Sequence, residues 1–227
     1  MTFPKLRNPI GAVILDMDGT LHDTEIVYYR ALKHAVAATG FSASDSLCRS
    51  LIGIPGKECD LILQEHFGSS FPFAECNRLF AEHRDDLLSQ GVPLKPGAVE
   101  LLDDLVAEGI PTAVATSSSR RTAESHLARS GLRNRLATLV TRDDVERGKP
   151  YPDLFLTAAR MLNILPTACL AVEDSVAGIR AAHSAGMMVV MVPDLVAPTA
   201  DIRALCVHVA SDLHEVREIA VKHWNAR

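Results

Sequence analysis

The chain has 227 residues, 48% hydrophobic and 22% charged, the composition of a globular protein of one or two domains. Its formal net charge of −5 gives no general positive field for nucleic acid or an anionic membrane, so an anionic ligand must meet a local positive site. The longest apolar runs, such as Met187 to Val192, fall far short of the roughly 20 residues that span a bilayer.

Val13-Ile14-Leu15 ends an apolar run that reads as a first strand, and Asp16-Met17-Asp18-Gly19-Thr20 follows directly. Residues 22–92 then read as helices only. Glu25, Tyr29, Leu32 and Val36 mark one helix face with Gly40 past its end, and Lys57 to His66 and Ala74 to Ser89 are later helical stretches. Gly97 to Glu108 carries Leu101, Leu102, Leu105 and Val106 at helical spacing, with Gly109 beyond the last turn. Ile110 to Ala115 is a continuous apolar run with β-branched residues, as expected of a strand covered on both faces.

Ser119 is placed to cap a helix ending near Gly131, and Thr138 to Val140 reads as a strand. Pro152 can sit in the first turn of a helix bearing Leu154, Phe155, Ala158, Met161 and Leu162. Cys169 to Val172 is a strand, Ser175 caps the next helix and Gly186 ends it. Met187 to Val192 and Val207 to Ala210 are further strands, and Ser211 starts a last helix. This alternation predicts an α/β fold, a Rossmann-like parallel sheet core with helices on both faces. The helical stretch after the first strand predicts an inserted α-helical cap domain over 22–92, with 1–21 and 93–227 forming the core.

Open parallel sheets bind ligands at the carboxyl ends of their strands. Four stretches at or near such ends carry reactive side chains: Asp16 to Thr20, Thr116-Ser117-Ser118, Gly148-Lys149-Pro150, and Glu173-Asp174-Ser175. Singly, each has a plain explanation as a turn, a helix cap or acids matched to a helix dipole. Together, four carboxylates, a lysine and hydroxyls at one sheet edge would be costly unless a cation and an anionic ligand balance them.

Carboxylate oxygens suit a hard cation, most simply Mg2+. A hard cation beside a lysine and hydroxyl donors suits a phosphate group. A carboxylate can then be the nucleophile, because the metal offsets a repulsion on the order of 4 kcal/mol per charge pair at about 4 Å and an effective dielectric of about 20. A spacing of two keeps Asp16 and Asp18 on the same side of the strand. The nine histidines show no HExxH or HxH spacing, so metal ligation by histidine is not expected. The five cysteines form no CxxC pair and are expected as free thiols.

These four motifs, in this order, resemble those of the haloacid dehalogenase superfamily of phosphohydrolases. The helical insert after the first motif resembles the branch that includes phosphoglycolate phosphatase-like and β-phosphoglucomutase-like enzymes. The resemblance implies that Asp16 is a nucleophile forming an aspartyl-phosphate, and that Asp18 protonates the leaving alcohol and then activates water. It implies that Thr116 and the Ser117 backbone hold the phosphate, while Lys149 stabilises its charge and orients Asp16. Asp174 would ligate Mg2+ with the Asp16 carboxylate and the Asp18 backbone carbonyl, and Glu173 would join them or back them.

A dehalogenase has no use for a second acid, and a phosphoaspartate receiver module would be near half this length and lack the cap, so neither fits. A β-phosphoglucomutase-like phosphohexomutase is the closer rival to hydrolysis. Such mutases use basic cap residues, and in the comparable loop Leu51 to Lys57 those positions hold Ile52 and Gly56. Lys57 or Arg49 could substitute, and Lys57 is expected to touch the distal end of the substrate. His22 stands where the motif is more often apolar and reads as a hinge residue partly facing solvent, or else as a substrate contact or auxiliary proton carrier. Glu25 reads as a cap-helix residue.

The expected partner is a small phosphorylated metabolite, a sugar phosphate or phosphoglycolate, with no nucleic acid or membrane. A monomer or weak homodimer is expected. With no apolar signal core behind Met1 to Arg7, so is a cytoplasmic location. The cap is expected to open and close on hinges near Leu21 to Thr24 and Gly91 to Lys95.

Overall fold

The computed structural model describes residues 6–51, 56–194 and 197–224, with the side chain of Lys57 outside that description. In chain order the elements are β1 (Ala12–Leu15), α1 (Thr24–Ala38), α2 (Asp45–Ser50), α3 (Gly56–Phe67), α4 (Phe73–Ser89), α5 (Ala98–Ala107), β2 (Thr112–Ala115) and α6 (Arg120–Arg129). They continue with β3 (Thr138–Val140), α7 (Asp153–Leu162), β4 (Cys169–Glu173), α8 (Val176–Ser184), β5 (Met188–Met191), α9 (Ala200–Leu205), β6 (His208–Val209) and α10 (Leu213–His223). Contacts divide the chain into two compact units, Met1–His22 with Pro93–Arg227, and Asp23–Val92.

The first unit is a Rossmann-like α/β layer structure. Its six strands run in the order β3-β2-β1-β4-β5-β6, and every pair is parallel. β1 to β5 are apolar runs buried along their whole length, as strands covered on both faces must be. Alternation splits them between two cores. Val13 and Leu15 of β1 join Val114, Leu170, Val172 and Val190 against Leu102 and Leu105 of α5, Leu127 of α6 and Ile219 of α10. Ala12 and Ile14 join Ala113, Ala171 and Val189 on the other face, against Phe155 of α7 and Ile179 of α8. The central strand β1 lies between β2 and β4, where the strand order reverses, and in such sheets ligands bind outside the carboxyl ends at that point.

Every regular element among the described residues of the second unit is a helix, with α1 packed on α4. Its core gathers Ala35, Val36, Leu51, Leu63, Phe71 and Cys76. The Phe71 ring has the centroids of Phe41, Phe67 and Phe73 within 5.1 Å. Among the described residues no helix is long and apolar enough to cross a membrane. All five cysteines are free thiols.

Several local expectations need correction. The fully buried positions of α1 are Thr24, Val27, Ala31, Ala35 and Val36; Leu32 is half-buried against the same core as Ala35 and Val36, while Glu25 and Tyr29 are half-buried and the two alanines supply the closest packing. Val106 and Met161 are 55% and 57% exposed, because each lies just past the edge of its helix's buried stripe. Pro152 precedes α7 as its N-cap instead of entering the first turn. The last helix is capped by Asp212, whose Oδ1 accepts from the Glu215 backbone N–H at 3.0 Å, while Glu215 reaches back to the Ser211 N–H at 2.8 Å. The helices α2 and α9, six residues each, were not expected, since so short a run shows no helical period.

Adjacent residues of α5 give a direct check of this packing. Leu105→Ala removes a fully buried side chain and is expected to cost about 2–5 kcal/mol, whereas Val106→Ala should stay within about 0.5 kcal/mol. Urea unfolding of both variants measures this; equal midpoints would contradict the assigned helix face.

Candidate active site

The site begins where β1 stops. The Asp16 backbone N–H donates to the Val172 carbonyl at 2.9 Å, which prolongs the β1–β4 ladder by one residue and fixes the Asp16 backbone beside the end of β4. The chain then turns tightly: the Gly19 N–H donates to the His22 carbonyl at 2.8 Å, and the Leu21 and His22 N–H groups both donate to the Met17 carbonyl at 2.9 Å. Gly19 has φ +86°, and a Cβ there would collide with the Asp174 carboxylate, so only glycine lets the turn approach that acid.

Lys149 is the buried cation of the site. Its Nζ donates to Asp16 Oδ1 and, at 2.6 Å, to Glu173 Oε1. The Phe155 ring centroid lies 5.2 Å from the ammonium, beneath it in the second core. Glu173 is held from its other side, where Oε2 accepts from the Ser175 backbone N–H at 2.8 Å and the Ser175 Oγ–H at 2.9 Å. Ser175 also caps α8, its Oγ accepting from the Gly178 N–H at 3.1 Å. Gly178 gives the Glu173 carboxylate its room, since any Cβ there would overlap it.

Asp18 faces different partners. Its Oδ2 accepts from the Ser118 Oγ–H at 2.7 Å, and its Oδ1 lies 3.9 Å from His126 Nδ1. Thr116 is anchored by its backbone N–H on the Val140 carbonyl at 2.9 Å, and its Oγ1 accepts from the Ser118 N–H at 3.0 Å. Asp174 Oδ1 accepts from the Thr20 hydroxyl at 3.1 Å. A cleft of about 250 Å³ is lined by Asp16, Asp18, Thr116, Ser117, Ser118, Lys149, Asp174 and Ser175. Every core residue named from the motifs lines it except Glu173, which stands behind Lys149.

The charges do not balance. Burial, which Lys149 only partly offsets, together with the charges of Glu173 and Asp18, pushes the Asp16 carboxyl up to about 7. Burial and the charges of Asp16 and Glu173 push Asp174 up to about 8. Lys149 moves up despite its burial, because Asp16 and Glu173 both hold its proton. Asp18 moves down: burial opposes this, but His126, the Ser118 hydroxyl and His22 outweigh it. Asp16, Glu173 and Asp174 each present a carboxylate oxygen within 4.8 Å of the others. An all-oxygen donor set in which Asp16 and Asp174 are pushed toward holding protons fits a hard divalent cation.

Three contacts were not foreseen. Ser118 on Asp18, Thr20 on Asp174 and His126 beside Asp18 arise from chain segments that only the fold brings together. His22 is fully buried, which overturns its reading as a partly solvent-facing hinge residue; its Nε2 pairs with Ser130 Oγ at 2.9 Å. His22 and His126 also meet Asp18 at ligand-like separations, an arrangement that sequence spacing could not signal. The loop 52–55 and the Lys57 side chain, expected to touch substrate, lie outside the described residues.

The sequence profile of the family described as Haloacid dehalogenase-like hydrolase matches residues 13–192. The chain is 33% identical over 176 residues to a phosphorylated carbohydrates phosphatase of Thermotoga maritima, covering 78% of this chain and 82% of that one. It is 32% identical over 223 residues to the β-phosphoglucomutase of Bacillus subtilis, covering 91% and 98%. Among solved structures, a family hydrolase from Deinococcus radiodurans with bound phosphate and sodium superposes with a TM-score of 0.84 at 25% identity, covering 95% of this chain and 96% of that one.

The raised carboxyls fix the sign of a stability effect. Asp16 and Asp174 hold protons more tightly in the folded chain than their ordinary 3.8, so metal-free stability falls as pH rises through about 7 and about 8. His22, held by burial down at about 4, acts oppositely but only below its ordinary 6.5, so the window lies above that. Denaturation midpoints without divalent cation should fall between about pH 6.5 and about pH 8.5, and Mg2+ should raise the midpoint more at the higher pH. Equal stabilisation at both pH values would contradict the cation fit.

Proposed function

We propose that this chain, which belongs to the haloacid dehalogenase-like hydrolase family and is a phosphoric monoester hydrolase, releases phosphate from a small phosphorylated metabolite through a covalent intermediate on Asp16. The observation that carries this reading is the buried Lys149 bridging Asp16 and Glu173, with Asp18 held by Ser118 in the same cleft.

Lys149 fixes the Asp16 carboxylate in one orientation and places positive charge where the phosphoryl oxygens arrive. Glu173, its oxygens taken by Lys149 and Ser175, serves to position them. Thr116 and the Ser117 backbone N–H receive the phosphoryl oxygens at the mouth of the cleft. Asp16 attacks phosphorus, the bond to the ester oxygen breaks, and the alcohol leaves with a proton from Asp18. Asp18 is held as the anion in the free site, and a dianionic phosphate beside it raises its proton affinity, so it arrives at the reaction charged with that proton. It then takes a proton from the water that attacks the aspartyl-phosphate, and inorganic phosphate is released. Mg2+ held by Asp16 and Asp174, with the Asp18 backbone carbonyl, would supply charge against the phosphate oxygens.

In this reading residues 22–92 act as the cap that selects the substrate, with Lys57 as its contact to the distal end, and 1–21 with 93–227 carry the chemistry. A sugar phosphate is the favoured substrate, supported by the name of the Thermotoga relative. No nucleic acid or membrane is a partner, a monomer or weak homodimer suffices, and the cytoplasm is the fitting location. The Bacillus similarity favours a second reading, a phosphohexomutase, which differs in returning the phosphoryl group to sugar and releasing no net phosphate.

A panel of phosphomonoesters assayed with Mg2+ tests the proposal, with phosphate release and loss of activity in EDTA expected. Asp16→Asn should abolish turnover and acid-stable phosphoenzyme, while Asp18→Asn should bind substrate but turn over roughly 10²–10⁴-fold more slowly. Turnover surviving in Asp16→Asn would remove the nucleophile assignment, and isomerisation of a hexose phosphate without net phosphate release would select the mutase.

A further inference from the structure

We propose that Asp18, His22 and His126 form a second cation site, one for a borderline transition metal such as Zn2+, beside the all-oxygen cluster of Asp16, Glu173 and Asp174. Each of the three offers a ligand atom within 4.8 Å of the others. Two imidazoles and one carboxylate are the donors that prefer zinc to magnesium, whereas the neighbouring cluster has oxygen alone.

The two histidines are poised as ligands. His22 is 0% exposed and His126 is 7% exposed, and Nδ1 of each is buried without a hydrogen-bond partner. With its hydroxyl directed at the Leu127 carbonyl at 3.3 Å, Ser130 can accept from His22 Nε2–H at 2.9 Å, the tautomer that the proposed site requires. Nδ1 of the neutral ring is then a bare lone pair. An imidazole whose far N–H is tied to an oxygen is the arrangement found behind metal-bound histidines.

The backbone sets the three residues against one another before any metal arrives. The turn from Met17 to His22 brings His22 into a β-bridge with Asp18. His126 comes from α6, which Ser119 caps directly after the Ser118 that holds Asp18. The rings of His22 and His126 meet edge to face, with centroids 6.0 Å apart. Tetrahedral zinc with bonds of about 2.0–2.1 Å needs ligand atoms about 3.3 Å apart, a closure of up to about 1.5 Å by side-chain rotation. Three ligands leave a fourth position open, as in exchangeable zinc sites.

Zinc bound here occupies the Asp18 carboxylate, so it should inhibit the Mg2+-dependent reaction. That consequence rests on the proton-transfer role proposed above for Asp18; the site itself does not. Equilibrium dialysis of the full chain against Zn2+ in saturating Mg2+ is the test. One zinc per chain is expected in the wild type, lost in His22→Leu and in His126→Leu. Should either variant fold poorly by circular dichroism, the wild type still decides, through an anomalous zinc peak between Asp18, His22 and His126. A wild type that binds no zinc over Mg2+, or a peak only among Asp16, Glu173 and Asp174, overturns the site. Zinc bound among Asp18, His22 and His126 with undiminished turnover overturns the inhibition and the proton-transfer role of Asp18.

Discussion

The ammonium of Lys149, buried between Asp16 and Glu173, is the contact on which the rest of the site depends. Charged groups out of water are costly, and this cluster persists because Lys149 and Glu173 are fully engaged. Lys149 has two carboxylates and an aromatic face, and Glu173 has Lys149 on one oxygen and Ser175 on the other. The fold supplies this by putting β1 and β4 side by side at the middle of the sheet. Asp16 and Glu173 then fall at neighbouring strand ends, and Gly178 leaves the room that Glu173 needs.

One lysine does not neutralise the acids around it. Asp16 and Asp174 remain pushed up by burial and by their neighbours, which marks a place where positive charge is still wanted. In the proposed mechanism a hard cation would answer part of that demand and let a dianionic phosphate approach the Asp16 carboxylate. The chain's overall negative charge is no obstacle, because the recognition is local. Asp18 meets different partners, with Ser118 on one oxygen and histidine near the other, so two aspartates two residues apart have opposite surroundings. Such divergence is what separates a nucleophile from a proton carrier.

Most of the sheet was legible because buried parallel strands are written as continuous apolar runs, as in Cys169 to Val172 and Met187 to Val192. The motif residues were legible for a related reason: polar residues directly after such runs have no role in the core. What was hidden depends on contacts distant in the chain. Nothing near Ser118 says that it holds Asp18, and nothing near His126 says that it meets His22. The fully buried His22 misled because a histidine in a turn usually reaches water. Short helices such as α2 and α9 are made by their packing, and Val106 shows that helical spacing alone does not fix the edge of a buried stripe.

The most direct test of the central contact is the stability of Lys149→Met relative to wild type at two pH values. Without the ammonium, the Asp16 and Glu173 carboxylates face each other buried with no cation between them, and Asp16 would bind its proton more tightly still. A loss of about 3–5 kcal/mol is expected at about pH 8.5 in metal-free buffer, shrinking at about pH 6.5 as Asp16 takes up its proton. A Lys149→Met chain equally stable to wild type at about pH 8.5, or equally destabilised at both pH values, would contradict the claim that this lysine holds the two carboxylates together.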